Sequence, residues 1–119
     1  MKKILCFDLD NVICKTSSNN YIKSLPIKKN IKLINYLYDK GYIIKIFTAR
    51  YMGRNNDNIQ KAKKAGLLFT KKQLLDWNLK YHKLIMGKPS FDIYIDDKNL
   101  EYKKDWANSL KNKLKIKII

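Results

Sequence analysis

The chain is poor in the residues that build metal clusters and cross-links. Among its 119 residues there is one histidine, His82, and two cysteines, Cys6 and Cys14. Two cysteines make no disulfide framework, and without a CxxC or a Cys/His cluster the sequence argues against a zinc site. Cys6 lies in an apolar run and is expected to be a buried small hydrophobe, whereas Cys14 is expected near the site. No apolar run approaches the roughly 20 residues needed to cross a bilayer. The first apolar stretch ends at Asp8, short of the ~7–15 apolar residues of a secretion signal. It therefore reads as a strand, and the protein is expected to be cytoplasmic, with no membrane partner.

Acidic residues are scarce, 10 against 26 basic ones, for a formal net charge of +16. Arginine is scarce too: only Arg50 and Arg54 stand among the lysines. A nucleic-acid footprint would cluster its basic residues and favour arginine. Here the lysines are dispersed, and the abundance of Lys, Asn, Ile and Tyr is the mixture an AT-rich coding sequence produces. The field of such a chain still draws anionic substrates to it.

What is present is a chain of 45% hydrophobic residues, the length of one domain spanning 1–119. Residues 3–8, 42–47, 83–86 and 91–95 are short apolar runs of the kind buried on both faces of a parallel sheet. Pro26 can open a helix whose Ile27, Ile31, Ile34, Leu37 and Tyr38 fall at helical spacing and which Gly41 ends. Residues 15–20 and 52–58 read as loops. A helix over 59–65 would close at Gly66, and a capping box of Thr70 and Gln73 would start another running to 80. A last helix is expected over 100–110 and a final edge strand over 114–119. Alternating strands and helices imply an α/β, Rossmann-like parallel sheet flanked by helices.

In such a fold ligands bind beyond the carboxyl ends of the strands. The four strand ends carry Asp8 and Asp10, then Thr48, then Lys88, then Asp96 and Asp97. Carboxylates crowded together repel one another unless a cation joins them. All-oxygen donors without His or Cys point to Mg2+. Such a set suits phosphoryl transfer. A carboxylate can attack phosphorus, a second carboxyl can protonate the leaving oxygen and then activate water, and a lysine and a hydroxyl can hold the phosphate oxygens.

Phe7-Asp8-Leu9-Asp10-Asn11-Val12, Ile46-Phe47-Thr48-Ala49-Arg50, Gly87-Lys88-Pro89 and Tyr94-Ile95-Asp96-Asp97-Lys98 follow one another in this order. They resemble the four motifs of the haloacid dehalogenase superfamily, in which many relatives have glycine where this chain has Asn11. The resemblance implies a Mg2+-dependent phosphomonoesterase working through an aspartyl-phosphate. Asp8 would be nucleophile and metal ligand. Asp10 would be general acid/base and a ligand through its main-chain carbonyl. Thr48 and Lys88 would bind the phosphoryl group, and Asp96 and Asp97 would complete the metal site. Asn11, Ala49, Arg50 and Arg54 are candidate substrate contacts. Both intervals that hold cap domains in this superfamily are filled by the helices already assigned, which implies a capless member with an open site. Small capless members occur among capsule and surface-polysaccharide biosynthesis phosphatases, so the implied partner is a small-molecule phosphate ester, a sugar phosphate or a nucleotide-sugar-linked phosphate.

Two other readings share this fold class. One is a nucleic-acid-binding domain, which clustered lysines would favour. The other is a phospho-ligand-binding protein without turnover, against which the intact set of Asp8, Asp10, Lys88 and Asp96 argues. Trp77 and Trp106 read as core or interface anchors, and His82 as structural.

Overall fold

The structure is a computed structural model that describes residues 3–116. Three strands form a parallel sheet in the order β1 (Ile4–Phe7), β4 (Ile43–Thr48), β5 (Lys83–Met86). Two short strands, β2 (Cys14–Lys15) and β3 (Leu25–Pro26), pair antiparallel beside it. The helices are α1 (Lys28–Asp39), α2 (Ile59–Asp76) and α3 (Trp106–Leu114). Registers of Phe7 with Ile46 and of Thr48 with Met86 bring the carboxyl ends of the three strands to one edge.

The alternation along β4 shows how the sheet is buried. Ile44, Ile46 and Thr48 are wholly enclosed, while Lys45 and Phe47 on the opposite face are half-buried. Ile31, Leu33, Ile34 and Leu37 of α1 join Ile44 and Ile46 in one core with Leu74 of α2 and Leu110 of α3. These apolar residues of α1 recur at helical spacing and form the stripe that α1 lays on the core. His82 serves structure, as expected. Its Nδ1 accepts the Ile44 amide at 3.0 Å, and its ring stacks on Tyr38.

Several expectations are corrected. The run 91–95 forms no strand: Ile93 and Ile95 are 81% and 93% exposed, and the chain is irregular from 87 to 105. Phe91 and Tyr94 instead close on the Lys88 ammonium, at 5.5 and 4.9 Å. The edge of β1 is left open in consequence, and Cys6 on it is exposed rather than buried. Gly66 does not end a helix, because α2 runs through it; its bare backbone admits the ring of Tyr51, which a Cβ there would strike. Thr70 is therefore inside α2 and caps nothing. Pro26 sits in β3, where an edge strand tolerates its missing N–H, and α1 starts at Lys28. The last helix begins later than expected, at Trp106, whose ring packs on Phe7 at 5.7 Å. Leu114 belongs to α3, and 117–119 of the expected edge strand lie outside the described residues.

Ile34→Ala should lower the unfolding free energy by about 2–5 kcal/mol, the range for truncating a fully enclosed aliphatic side chain. Leu68→Ala, at a position 81% exposed, should change it by less than about 0.5 kcal/mol. Urea denaturation of both variants checks the assignment of the core.

Candidate active site

Asp8 follows β1 directly and half-emerges at the sheet edge. Its Oδ1 accepts the Leu9 amide at 2.7 Å, and its Oδ2 lies 3.5 Å from Lys88 Nζ. Partial burial pushes the Asp8 carboxyl above the usual aspartate value; the charge of Lys88 opposes that shift and the charge of Asp10 adds to it. Lys88 arrives from the far side of the sheet. Gly87, with φ +102, turns the chain as β5 ends, in a conformation that side chains avoid, and the Lys88 amide donates to the Thr48 carbonyl at 3.2 Å.

Asp10 is aimed elsewhere by a tight turn. Amides of Val12, Ile13 and Cys14 all point at the Leu9 carbonyl, and Asn11 takes the left-handed conformation with φ 66. That conformation suits glycine best and asparagine next, which accounts for an asparagine at position 11. The turn carries the Asp10 carboxylate to Arg50. Arg50 Nε donates to both Asp10 oxygens at 3.1 and 3.0 Å, and Nη2 donates to Oδ1 at 2.8 Å. Thr16 Oγ1 donates to the same Oδ1 at 2.6 Å.

Arg50 is almost wholly enclosed, 1% exposed. Its Nη1 donates to Gln73 Oε1 at 2.6 Å, its Nη2 reaches Ser24 Oγ at 3.3 Å, and its guanidinium lies 4.8 Å from the Tyr21 ring. The structure thus gives this arginine to Asp10 and the interior rather than to the open edge. Thr48 is enclosed at the end of β4, where its hydroxyl accepts the Arg50 amide at 3.1 Å and keeps its own hydrogen to donate. Ala49 is half-buried between them, and its carbonyl accepts the Met52 amide. Arg54 is exposed, with its guanidinium 5.1 and 4.9 Å from the rings of Tyr21 and Tyr51.

Asp96 and Asp97 stand exposed on the irregular segment, where the Asp96 carboxylate accepts the Lys98 amide at 2.9 Å. The charge of Asp96 still reaches the Cys6 thiol, two residues before Asp8 in sequence. For Mg2+ the donor chemistry is right, since oxygen ligands and an incompletely compensated Asp8 carboxyl suit a hard cation. The count is short, however. Among the described residues no three His, Cys, Asp or Glu side chains gather closely enough to hold a metal ion.

Sequence reasoning missed the support around Arg50. Gln73 bridges Arg50 to the Tyr21 carbonyl, which it meets at 2.8 Å, and Thr16, Ser24 and Cys14 close the other side. The available signal was a polar pair, Thr70 and Gln73, on the same stripe of a helix as buried Leu74. A groove of about 610 Å³ lined by Ile31, Asn35, Tyr36 and Trp77 lies along α1 and the end of α2, and none of the candidate site residues lines it.

No family model matches this chain, and no curated protein matches it. Solved structures do. A protein from Vibrio cholerae is 26% identical, with a TM-score of 0.76 over 96% of this chain and 99% of that one. A D,D-heptose 1.7-bisphosphate phosphatase from B. bronchiseptica, crystallised with magnesium and phosphate, superposes with a TM-score of 0.51 at 13% identity, over 98% of this chain and 65% of that one. The shared fold is a parallel α/β sheet flanked by helices, compatible with a Rossmann-like or haloacid dehalogenase-like arrangement. A chain of the Pnkp1/Rnl/Hen1 complex also matches this fold, with a TM-score of 0.56 at 16% identity over 82% of this chain and 31% of that one. Among the described residues no helix is long and apolar enough to cross a membrane.

The raised Asp8 value has a stability consequence whose sign is fixed. A carboxyl that holds its proton more tightly folded than unfolded favours folding below the ordinary aspartate range. That contribution is lost as pH rises through its raised value. Ionised Asp8 is therefore a cost at neutral pH, and Asp8→Asn should be more stable than the parent at pH near 7. The gap should close as pH falls below about 4. Thermal unfolding of both metal-free proteins across that range checks it.

Proposed function

We propose that this protein is a Mg2+-dependent phosphomonoesterase in which Asp8 takes up the phosphoryl group. Its substrate would be a phosphorylated sugar or another capsule or surface-polysaccharide precursor. The observation that carries the chemistry is the pairing of Asp8 with Lys88, 3.5 Å apart at the carboxyl edge of a parallel sheet. A partly buried carboxylate there is half exposed to an incoming phosphate, and an ammonium beside it suits the phosphate oxygens. The fold, shared with a phosphatase crystallised with magnesium and phosphate, supports the reading. The substrate class rests on the resemblance of the four motifs alone.

In this scheme an Asp8 oxygen bonds to phosphorus as the ester oxygen leaves, and water then cleaves the resulting acyl phosphate. Lys88 binds the transferring group and offsets its charge; the Thr48 hydroxyl keeps a hydrogen to donate but is wholly enclosed, so it would reach a phosphate oxygen only where the edge opens over it. Asp10, ionised while it is paired with Arg50, would first take up a proton from solvent, then protonate the leaving oxygen, and later take a proton from the attacking water. Both its oxygens rest in the Arg50 fork, so proton transfer requires the carboxyl to turn out of it, and Arg50 sets the position from which it turns. Of the ligands that the motifs imply for Mg2+, Asp8 and the main chain at Asp10 lie at the sheet edge, whereas Asp96 and Asp97 stand exposed on the irregular segment and would have to move in to complete the site. When bound, the ion would neutralise charge on the carboxylates and the phosphate.

Phosphate release from phosphorylated sugars, nucleotides and an aryl phosphate, with Mg2+ or EDTA, tests this. Asp8→Asn should cut turnover by on the order of a thousandfold or more while the protein stays folded, and EDTA should abolish it. Appreciable turnover by folded Asp8→Asn would sink the assignment of the nucleophile. Asp10→Asn should slow alkyl phosphates more than the aryl phosphate, whose leaving group needs no proton; equal slowing would remove Asp10 as the acid.

A further inference from the structure

Arg54 differs from Arg50 in every respect that bears on a ligand. It is exposed, and among the described residues it has no carboxylate within ion-pair distance. Among the described residues its guanidinium makes one hydrogen bond, from Nη2 to the Asn19 carbonyl at 3.0 Å. Two rings nevertheless hold its guanidinium in place, Tyr21 at 5.1 Å and Tyr51 at 4.9 Å, and the rings themselves lie 4.8 Å apart. Aromatic faces fix the plane of a guanidinium and leave its edge N–H groups free.

The seat is kept at a local cost. Tyr51 has φ 66, a left-handed conformation that a bulky side chain seldom adopts. Its carbonyl accepts Asn55 Nδ2 at 2.7 Å. The ring rests over Gly66, where any Cβ would strike it, and a glycine inside a helix is itself unfavourable. A strained residue and a mid-helix glycine thus both serve to place one ring. Backbone strain of this kind persists where the surroundings enforce it, and it concentrates at ligand sites.

The place also matters. The Tyr21 ring that carries Arg54 also carries Arg50, at 4.8 Å, and Arg50 holds Asp10. One ring therefore separates the open guanidinium from the arginine of the candidate active site.

We infer that Arg54, cradled by Tyr21 and Tyr51, is an anion-binding subsite beside the Asp8 site, so that the substrate carries a second negative group, a carboxylate or another phosphate, besides the phosphate removed. A planar fork with free N–H donors recognises either group through paired charge-assisted hydrogen bonds. The inference rests on the phosphatase reading and narrows it to substrates with two anions.

The test reads binding and needs no turnover. On the Asp8→Asn background, calorimetry compares fructose bisphosphate and phosphogluconate with fructose monophosphate. The two-anion ligands should bind at least about tenfold tighter, the worth of one pair of hydrogen bonds to a charged group. Arg54→Met should erase most of that preference. Gly66→Ala, which displaces the Tyr51 ring without removing charge, should reduce it. Lys113→Met, an exposed position on α3, removes the same charge elsewhere and should preserve it. A parent without the preference overturns the inference. So does a preference that survives Arg54→Met, or one that Lys113→Met removes equally, which would assign it to the general positive field. A preference for only one of the two ligands names the second group. Aryl phosphate turnover by the wild-type protein reports separately on the phosphatase reading.

Discussion

The ion pair between Arg50 and Asp10 is the interaction on which the site depends. A guanidinium with no exposed side-chain surface is costly to enclose, and attraction to one carboxylate seldom offsets that desolvation alone. Here the remaining donors are satisfied as well, by Gln73 and Ser24, with Cys14 Sγ at 3.7 Å and the face of Tyr21 alongside. The partners come from different parts of the chain: the turn after β1, the short helical turn at Tyr21–Lys23 and its flank, and the last turn of α2. An enclosed charge with partners on three segments holds each of them in register, because moving any one strands a polar group away from water. The return for this cost is position rather than net stability.

That dependence explains how far the site was legible in the sequence. Strand ends could be read because apolar runs stop at polar residues: β1 at Asp8, β4 near Thr48 and β5 at Gly87-Lys88. The residues at those ends follow from topology, since parallel strands deliver their carboxyl ends to one edge. What Arg50 does there could not be read. A side chain enclosed at the end of β4 and one open to substrate have the same local sequence, and the difference lies with Gln73, 23 residues away. The misread glycine at 66 has the same origin. Its local signal is a helix stop, but the Tyr51 ring that fills its place is remote in sequence. The run 91–95 was misread because a short apolar run speaks for a strand without naming a partner. In the structure its rings close on Lys88 instead.

Two carboxylates two residues apart end in opposed surroundings, and the turn at Asn11 is the device that separates them. Asp10 is held by an enclosed arginine and a hydroxyl, with every close contact a donor. Asp8 keeps one backbone amide and a lysine at 3.5 Å, and burial outweighs both in raising its carboxyl. Asp8, the less compensated of the two, is the one with affinity to spare for a further cation. The more compensated is fixed until it turns. The +16 charge of the chain has no role in this division, because dispersed exposed lysines act on it through water and salt. Their effect is on the concentration of anions at the open edge, and the chemistry there depends on which of two neighbouring aspartates has been left short of partners.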